Sequence, residues 1–205
     1  MNWTSIYLKT ENHNVFILGT GEVATRRANK FLDHGANVCL AGNHLDEGLK
    51  EKGALLKSTD EVNELVEWAD IVIIASGDEE LCEYVSEISK DKLLNRADFP
   101  DKGNIIVPNS FYVGDIEISI FTGAKSPLIS KYLRKKIQSI ITEEDIIKIE
   151  LQDYARKILK KNIDDQKVRK QYLYEIFENP NLEDLIKQRK IEESKIYINK
   201  LIAHI

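Results

Sequence analysis

Gly19 and Gly21, one residue apart, with the small Ala24 three positions further on, make a Gly-x-Gly-x-x-Ala run. The chemistry such a run serves is the holding of a pyrophosphate. Gly19 permits a tight turn, Gly21 has no side chain to block an approaching anion, and Ala24 lets helix and strand pack closely. With Thr20, Glu22 and Val23 completing the loop, the anion would rest on free N–H groups at a helix N-terminus. A second chemical group is Asp98, which follows the apolar pair Leu93-Leu94. Open α/β sheets place their ligands beyond the carboxyl ends of their strands. A carboxylate there could accept a proton, given reach and a suitable pKa. The alternative is a loop aspartate that caps the turn toward Pro100, with Asp101 as a nearby surface competitor.

The elements that must position these groups are legible on either side of them. Val15-Phe16-Ile17-Leu18 is an apolar run before the glycines, and an amphipathic segment after them ends at Gly35. That order of strand, turn and helix begins a βαβ unit. Asn37 to Ala41 is a second short strand, and Ala54 to Lys57 a third. Ser58-x-x-Glu61 reads as a capping box ahead of Val62, Leu65, Val66 and Ala69. Ile71 to Ala75 is a continuous apolar run, as expected of a parallel strand covered on both faces. Glu79 to Lys90 reads as a helix, and Leu93-Leu94 open another strand. The βαβαβ rhythm predicts an open parallel sheet.

All ten glycines lie between Gly19 and Gly123, and residues 124–205 contain none. The chain therefore changes from turn-rich to helical. Between the two parts, Ile105 to Pro108 and Ile116 to Phe121 read as strands, the second by its alternation. Ser126-Pro127 is a helix cap followed by proline at the first helical position. Leu128, Ile129, Tyr132, Leu133, Ile137 and Ile141 recur at helical spacing, and a second stripe starts at Ile146. Two further helices are expected on either side of Asn179-Pro180. Stripes of this kind must face each other or another subunit.

Composition narrows the class. Thirty-four acidic against 29 basic residues leave a formal net charge of -5, without the basic excess typical of nucleic-acid binders. The sequence has no long apolar run for a membrane span and no signal-peptide pattern at Met1 to Ser5. Cys39 and Cys82 have no paired spacing and read as small core hydrophobes in a reducing, cytoplasmic setting. His13, His34, His44 and His204 are scattered without metal-ligand spacing, so no metal site is expected. Asn43 stands just past the second strand, where an acid often marks the NAD ribose. Asp46 and Glu47 come later, and no arginine cluster awaits a 2′-phosphate. The residues alone leave NAD and NADP open.

Several segments together resemble the precorrin-2 dehydrogenase family of sirohaem synthesis, which includes the N-terminal half of bifunctional sirohaem synthases. They are Asn14 to Arg27 around the glycine turn, Ile74-Ala75-Ser76-Gly77-Asp78, Leu94-Asn95-Arg96-Ala97-Asp98, and Ser119 to Leu128 with Leu133-Arg134 following. The most distinctive is Thr122-Gly123-Ala124-Lys125-Ser126-Pro127. The resemblance covers essentially the first 140 residues. Departures are Thr20 in place of a glycine, Ala124 in place of the second glycine of the later turn, Lys131 in place of an arginine, and Cys82 in place of an asparagine.

The resemblance implies a Rossmann-type α/β domain over residues 1–112, a small dimerisation segment over 113–142 and an all-helical domain over 143–205. It implies NAD as cofactor and oxidation of precorrin-2 to sirohydrochlorin. Ferrochelatase activity, alone or as a second activity, is one alternative, and a non-catalytic dinucleotide-binding partner protein is another. Asp98 would be catalytic. Gly19, Thr20, Gly21, Glu22, Val23, Ala24, Asn43, Ala75 and Ser76 would line the cofactor. Arg96, Thr122, Lys125, Ser126 and Arg134 would meet the substrate, whose eight carboxylates call for several cations. The partners expected are this tetrapyrrole and a second copy of the chain, with neither nucleic acid nor membrane.

Overall fold

Strand β1 (Asn14–Leu18) is fully buried from Val15 onward and occupies the middle of a five-stranded parallel sheet. A computed structural model of the protein describes residues 3–123 and 125–203. In it the chain divides into two units, residues 1–107 and 108–205.

In the first unit the elements run β1, α1 (Glu22–Leu32), β2 (Asn37–Ala41), α2 (Glu47–Glu51), β3 (Leu55–Lys57), α3 (Val62–Trp68), β4 (Ile71–Ile74), α4 (Glu79–Ile88) and β5 (Leu93–Arg96). The strand order is β3-β2-β1-β4-β5. Successive side chains of a strand point to opposite faces, and both faces here are covered. Val15, Ile17, Val38, Leu40, Ile71 and Ile73 pack against Ala24, Ala28 and Phe31 of α1. Phe16, Leu18, Cys39, Ala41, Val72 and Ile74 pack against Val62, Leu65 and Val66 of α3 and against Cys82 and Val85 of α4. This two-sided burial explains why the strands read as unbroken apolar runs. Cys39 and Cys82 are free and buried.

Local signals set the element ends. The Ser58–Glu61 capping box is present, closing a short 3-10 turn at Thr59–Glu61 that leads into α3. Asp46 and Asp78 cap α2 and α4 by accepting from the Leu49 and Leu81 N–H groups. Ile105 to Pro108, expected as a strand, joins no ladder. The Asn104 and Ile105 N–H groups both donate to the Leu94 carbonyl, and the Asn95 amide donates to the Ile105 carbonyl. The segment is apolar because Val107 enters the core beside α1, not because it pairs.

The second unit opens with a two-stranded antiparallel ribbon, β6 (Asn109–Val113) and β7 (Ile116–Ile120). Five helices follow among the described residues: α5 (Pro127–Ile140), α6 (Glu143–Asn162), α7 (Gln166–Phe177), α8 (Pro180–Lys187) and α9 (Ile191–Ala203). Ser126 caps α5 through the Ile129 N–H, with Pro127 at its first position. Ile147, Leu151, Ala155 and Leu159 of α6 form a core with Ile176, Leu182, Ile186, Ile198 and Ile202. The sequence predicts two helices around Asn179-Pro180, and three are present there. No helix among the described residues is long and apolar enough to cross a membrane.

Candidate functional site

The turn between β1 and α1 lies where the strand order reverses, since β2 and β3 extend the sheet to one side of β1 and β4 and β5 to the other. Ligands of open α/β sheets bind at such a switch point. Gly19 has φ +108°, a left-handed conformation, and its N–H donates to the Ala41 carbonyl at 2.8 Å. A Cβ on Gly19 would stand 2.3 Å from the Ala75 carbonyl oxygen. The turn and the end of β4 are therefore packed backbone to backbone, with Ala75 and Ser76 beside it. Thr20 packs on Gly42, just past β2.

At Gly21 the situation is the opposite. A Cβ there would meet nothing within 4 Å. Gly21 is also the cap of α1 and supplies no side-chain hydrogen bond to it. The side-chain position of Gly21 is thus open, beside the uncapped first turn of α1 at the positive end of the helix dipole. Glu22 and Val23 are exposed on that first turn, and Ala24 is buried beneath it. An open cradle over uncapped N–H groups fits the pyrophosphate of a dinucleotide. Asn43 is exposed beyond β2, and Asp46 is occupied as the α2 cap.

One prediction follows from the packed side of the turn. Gly19→Ala should destabilise the protein by at least about 1–3 kcal/mol from the backbone conformation alone, before the clash with Ala75 is counted. Chemical denaturation measures it, and an unchanged midpoint would contradict the tight approach.

Asp98 lies two residues past Arg96, the last residue of β5, which pairs in register with Ile74 of β4. It is thus at the same carboxyl edge of the sheet as the glycine turn. Its two oxygens are held by one guanidinium: Arg96 Nε donates to Oδ1 at 2.9 Å and Nη2 to Oδ2 at 2.6 Å. Arg96 Nη2 also donates to Glu83 Oε1 on α4 at 3.0 Å, and Lys102 Nζ reaches the same oxygen at 2.8 Å. Burial pushes the Asp98 carboxyl up, but the Arg96 hydrogen bonds, the Phe99 and Asp98 N–H groups and the Arg96 charge outweigh it and hold it low. Glu83 is likewise held low by Lys102 and Arg96. The carboxylate is thus held from one side by an arginine clamp.

Arg96, expected to meet the substrate, has no exposed surface, and its fork is turned to Asp98 and Glu83. A solvent-borne carboxylate does not reach it. Arg27 on α1 is also drawn inward, where its Nη1 donates to the Val107 carbonyl at 2.5 Å. Burial, and then the Arg26 charge, pull its pKa down to about 10.

In the second unit, Thr122 Oγ1 lies 3.2 Å from Ser130 Oγ and 3.4 Å from the Ser126 carbonyl, so Thr122 and Ser126 order the start of α5. Arg134 stacks over the Phe111 ring of β6, 5.2 Å from its centroid. Lys125 and Lys131 are exposed. Ala124 and His204 lie outside the described residues. Among those residues no group of three or more histidine, cysteine or acidic side chains is placed to hold a metal. The residues that sequence reasoning missed are Glu83 and Lys102. Only the i, i+2 relation of Arg96 and Asp98 at a strand end hinted at a buried ion cluster.

With this geometry in hand, the comparisons with known proteins are specific. A family model described as "Putative NAD(P)-binding" matches residues 6–109. The precorrin-2 dehydrogenase of Methanosarcina barkeri is 30% identical over 191 residues, covering 87% of this chain and 84% of that protein. The putative precorrin-2 dehydrogenase of Methanocaldococcus jannaschii is 30% identical over 197 residues, covering 89% of this chain and 94% of that protein. A solved structure, SirC, precorrin-2 dehydrogenase, superposes with a TM-score of 0.76 at 24% identity, over 95% of this chain and 100% of its own, and so shares the fold.

Proposed function

The chain belongs to the precorrin-2 dehydrogenase family, and we propose on that premise that it oxidises precorrin-2 to sirohydrochlorin with NAD. The observation that carries the reading is the pairing of an open pyrophosphate cradle at Gly21 with a fixed, partly exposed carboxylate at Asp98, on one edge of one sheet. Bound on the β1–α1 turn, NAD supplies the hydride acceptor. Gly19 and Gly21 shape the turn, the first-turn N–H groups of α1 would hold the pyrophosphate, and Asn43, Ala75 and Ser76 would line the rest of the dinucleotide. Oxidation removes a hydride and a proton from the tetrapyrrole. Asp98 stands as an anion that favours the positive charge left as the hydride departs and receives the proton afterwards. Its low pKa makes it a weak base, so the electrostatic part is the larger.

Substrate carboxylates require cations that solvent reaches. Lys125 and Arg134 meet that requirement, with Thr122 and Ser126 as neutral donors; Arg96 does not. The free, buried cysteines suit a reducing cytoplasm, and the acidic net charge suits a protein without a nucleic-acid partner.

The test is anaerobic incubation with precorrin-2 and NAD, followed by ferrous iron. NADH formation in step with sirohydrochlorin supports the dehydrogenase. Sirohaem appearing only after iron is added assigns chelation as a second activity. Dinucleotide binding without either product identifies a non-catalytic binding protein.

Assembly belongs to the same proposal. On α5, Leu128 is 75%, Tyr132 60% and Ile140 63% exposed, with Ile129 at 48%. A helix with that much uncovered apolar surface suits a symmetric dimer in which residues 113–142 meet their own copy. The organisation this gives is a cofactor domain over 1–112, that segment, and a helical domain over 143–205. Light scattering at low micromolar concentration should show a dimer, and Tyr132→Asp should weaken it. A monomer with full activity would contradict the assembly.

A further inference from the structure

Within the first unit, an arginine occupies a place its neighbours reserve for apolar side chains. Alternation along β5 puts Arg96 on the same face as Leu94, the face packed with Val62, Leu65, Cys82 and Val85. It is fully buried there, although a buried cation is costly unless charged partners hold it. Two of its nitrogens find carboxylates, and the third, Nη1, is buried without a partner among the described residues. The Phe99 ring closes over the group, 5.7 Å from the guanidinium and 5.1 Å from Lys102 Nζ.

A device for stability alone has a simpler form. Replacing a buried ion pair by well-packed hydrophobic residues is often neutral or stabilising. The arrangement is instead asymmetric: Arg96 is sealed, whereas 26% of the Asp98 side chain is open to solvent at the ligand end of β5. The guanidinium is a handle inside the protein for a carboxylate that faces out. Its far side is anchored to a second element, α4, through Glu83.

We propose that Arg96 is the positioning residue of Asp98, holding the carboxylate in one orientation and as an anion, and that Glu83 sets how tightly it holds. This rests on the reading of Asp98 given under the proposed function. Nη2 carries two N–H bonds and donates to both Glu83 and Asp98, so the two carboxylates share the positive charge of one guanidinium. Three other charges belong to the cluster around Asp98: Arg96 from the end of β5, Glu83 from α4 and Lys102 from the turn at Pro100–Lys102. Cys82 also faces it from α4, with a thiol that burial and then the Asp98 charge push up, so it stays neutral. Without Arg96, burial and the Glu83 charge both act to protonate Asp98. Without the Glu83 charge, the guanidinium has Asp98 as its one anionic partner and the neighbouring like charge is gone, so the ionised form of Asp98 is favoured further.

The two removals therefore shift one titration in opposite directions. The test follows the Asp98 carboxyl by carbon NMR with labelled aspartate, beside the acid limb of kcat for NADH formation from precorrin-2. Arg96→Met, which keeps volume and removes charge, should raise the carboxyl titration by about one to three pH units. The acid limb of kcat should rise with it, and Arg96→Lys should recover part of the shift. Glu83→Gln should move both lower. A purely structural Arg96 would reduce stability and kcat at every pH while leaving the Asp98 titration in place. Should Arg96→Met fail to fold, Glu83→Gln, at a partly exposed site, decides alone. A carboxyl titration that moves as stated while the kcat profile does not follow contradicts the role given to Asp98 and leaves the clamp standing. A carboxyl titration unmoved in every folded variant overturns the inference.

Discussion

Asp98→Asn is expected to lower kcat for precorrin-2-dependent NADH formation by about 10²–10⁴, the range lost when a positioned electrostatic or proton-transfer group is removed. Affinity for NAD should stay near the wild-type value, because the cradle at Gly21 lies on the β1–α1 turn and shares no atom with the Arg96–Asp98 pair. Asparagine keeps the shape of the side chain and can still accept one of the two Arg96 hydrogen bonds. It does leave a buried guanidinium with only Glu83 as anion. Breaking a buried pair from one side commonly costs about 3–5 kcal/mol, and the Glu83 contact should soften that loss here. Folding must therefore be verified by circular dichroism before the rates are read. Unchanged turnover in a folded variant would move the proton to Asp101, to water or to the substrate itself.

Gly21→Asp should abolish most measurable NAD binding. The substitution is unusually clean, since an added Cβ at this position meets no protein atom and the backbone is extended rather than left-handed. The fold should tolerate it. The new carboxylate would occupy the space over the α1 N-terminus and bring a negative charge against the pyrophosphate, in competition for the same helix dipole. Calorimetric titration with NAD should show affinity weakened by at least about 100-fold, the size expected when charge-assisted hydrogen bonds to the pyrophosphate give way to repulsion. Binding at the wild-type affinity would remove the glycine turn from the cofactor site.

How much of this was legible in the sequence depends on whether the signal was local. The β1–α1 turn, the Ser58 capping box and the Ser126-Pro127 cap are set by residues close together in the chain, and all are present. The central strands read correctly because burial on both faces leaves an unbroken apolar run. Ile105 to Val107 read as a strand for the same reason, yet the segment is buried by packing under α1 and by folding back on Leu94. The partner of β7 was not legible: β6 starts at Asn109-Ser110, whose side chains carry no strand signal. One helix boundary was hidden altogether. Between α8 and α9 the chain turns at Arg189 with φ +57°, where neither glycine nor proline marks the break. At the site, position was legible and environment was not. Asp98 falls at the expected strand end, but its clamp involves Glu83, 15 residues earlier on a different element. A charged strand residue read from sequence looks like a hand for the substrate. Only the fold shows that Arg96 is turned inward.

The most direct measurement is an anaerobic time course with limiting precorrin-2 and excess NAD, following NADH fluorescence and the tetrapyrrole absorption together. The account predicts one NADH formed for each precorrin-2 converted to sirohydrochlorin, with the two signals rising at one rate and both lost in Gly21→Asp. Sirohydrochlorin appearing without NADH, or no conversion by a protein that binds NAD, would contradict it.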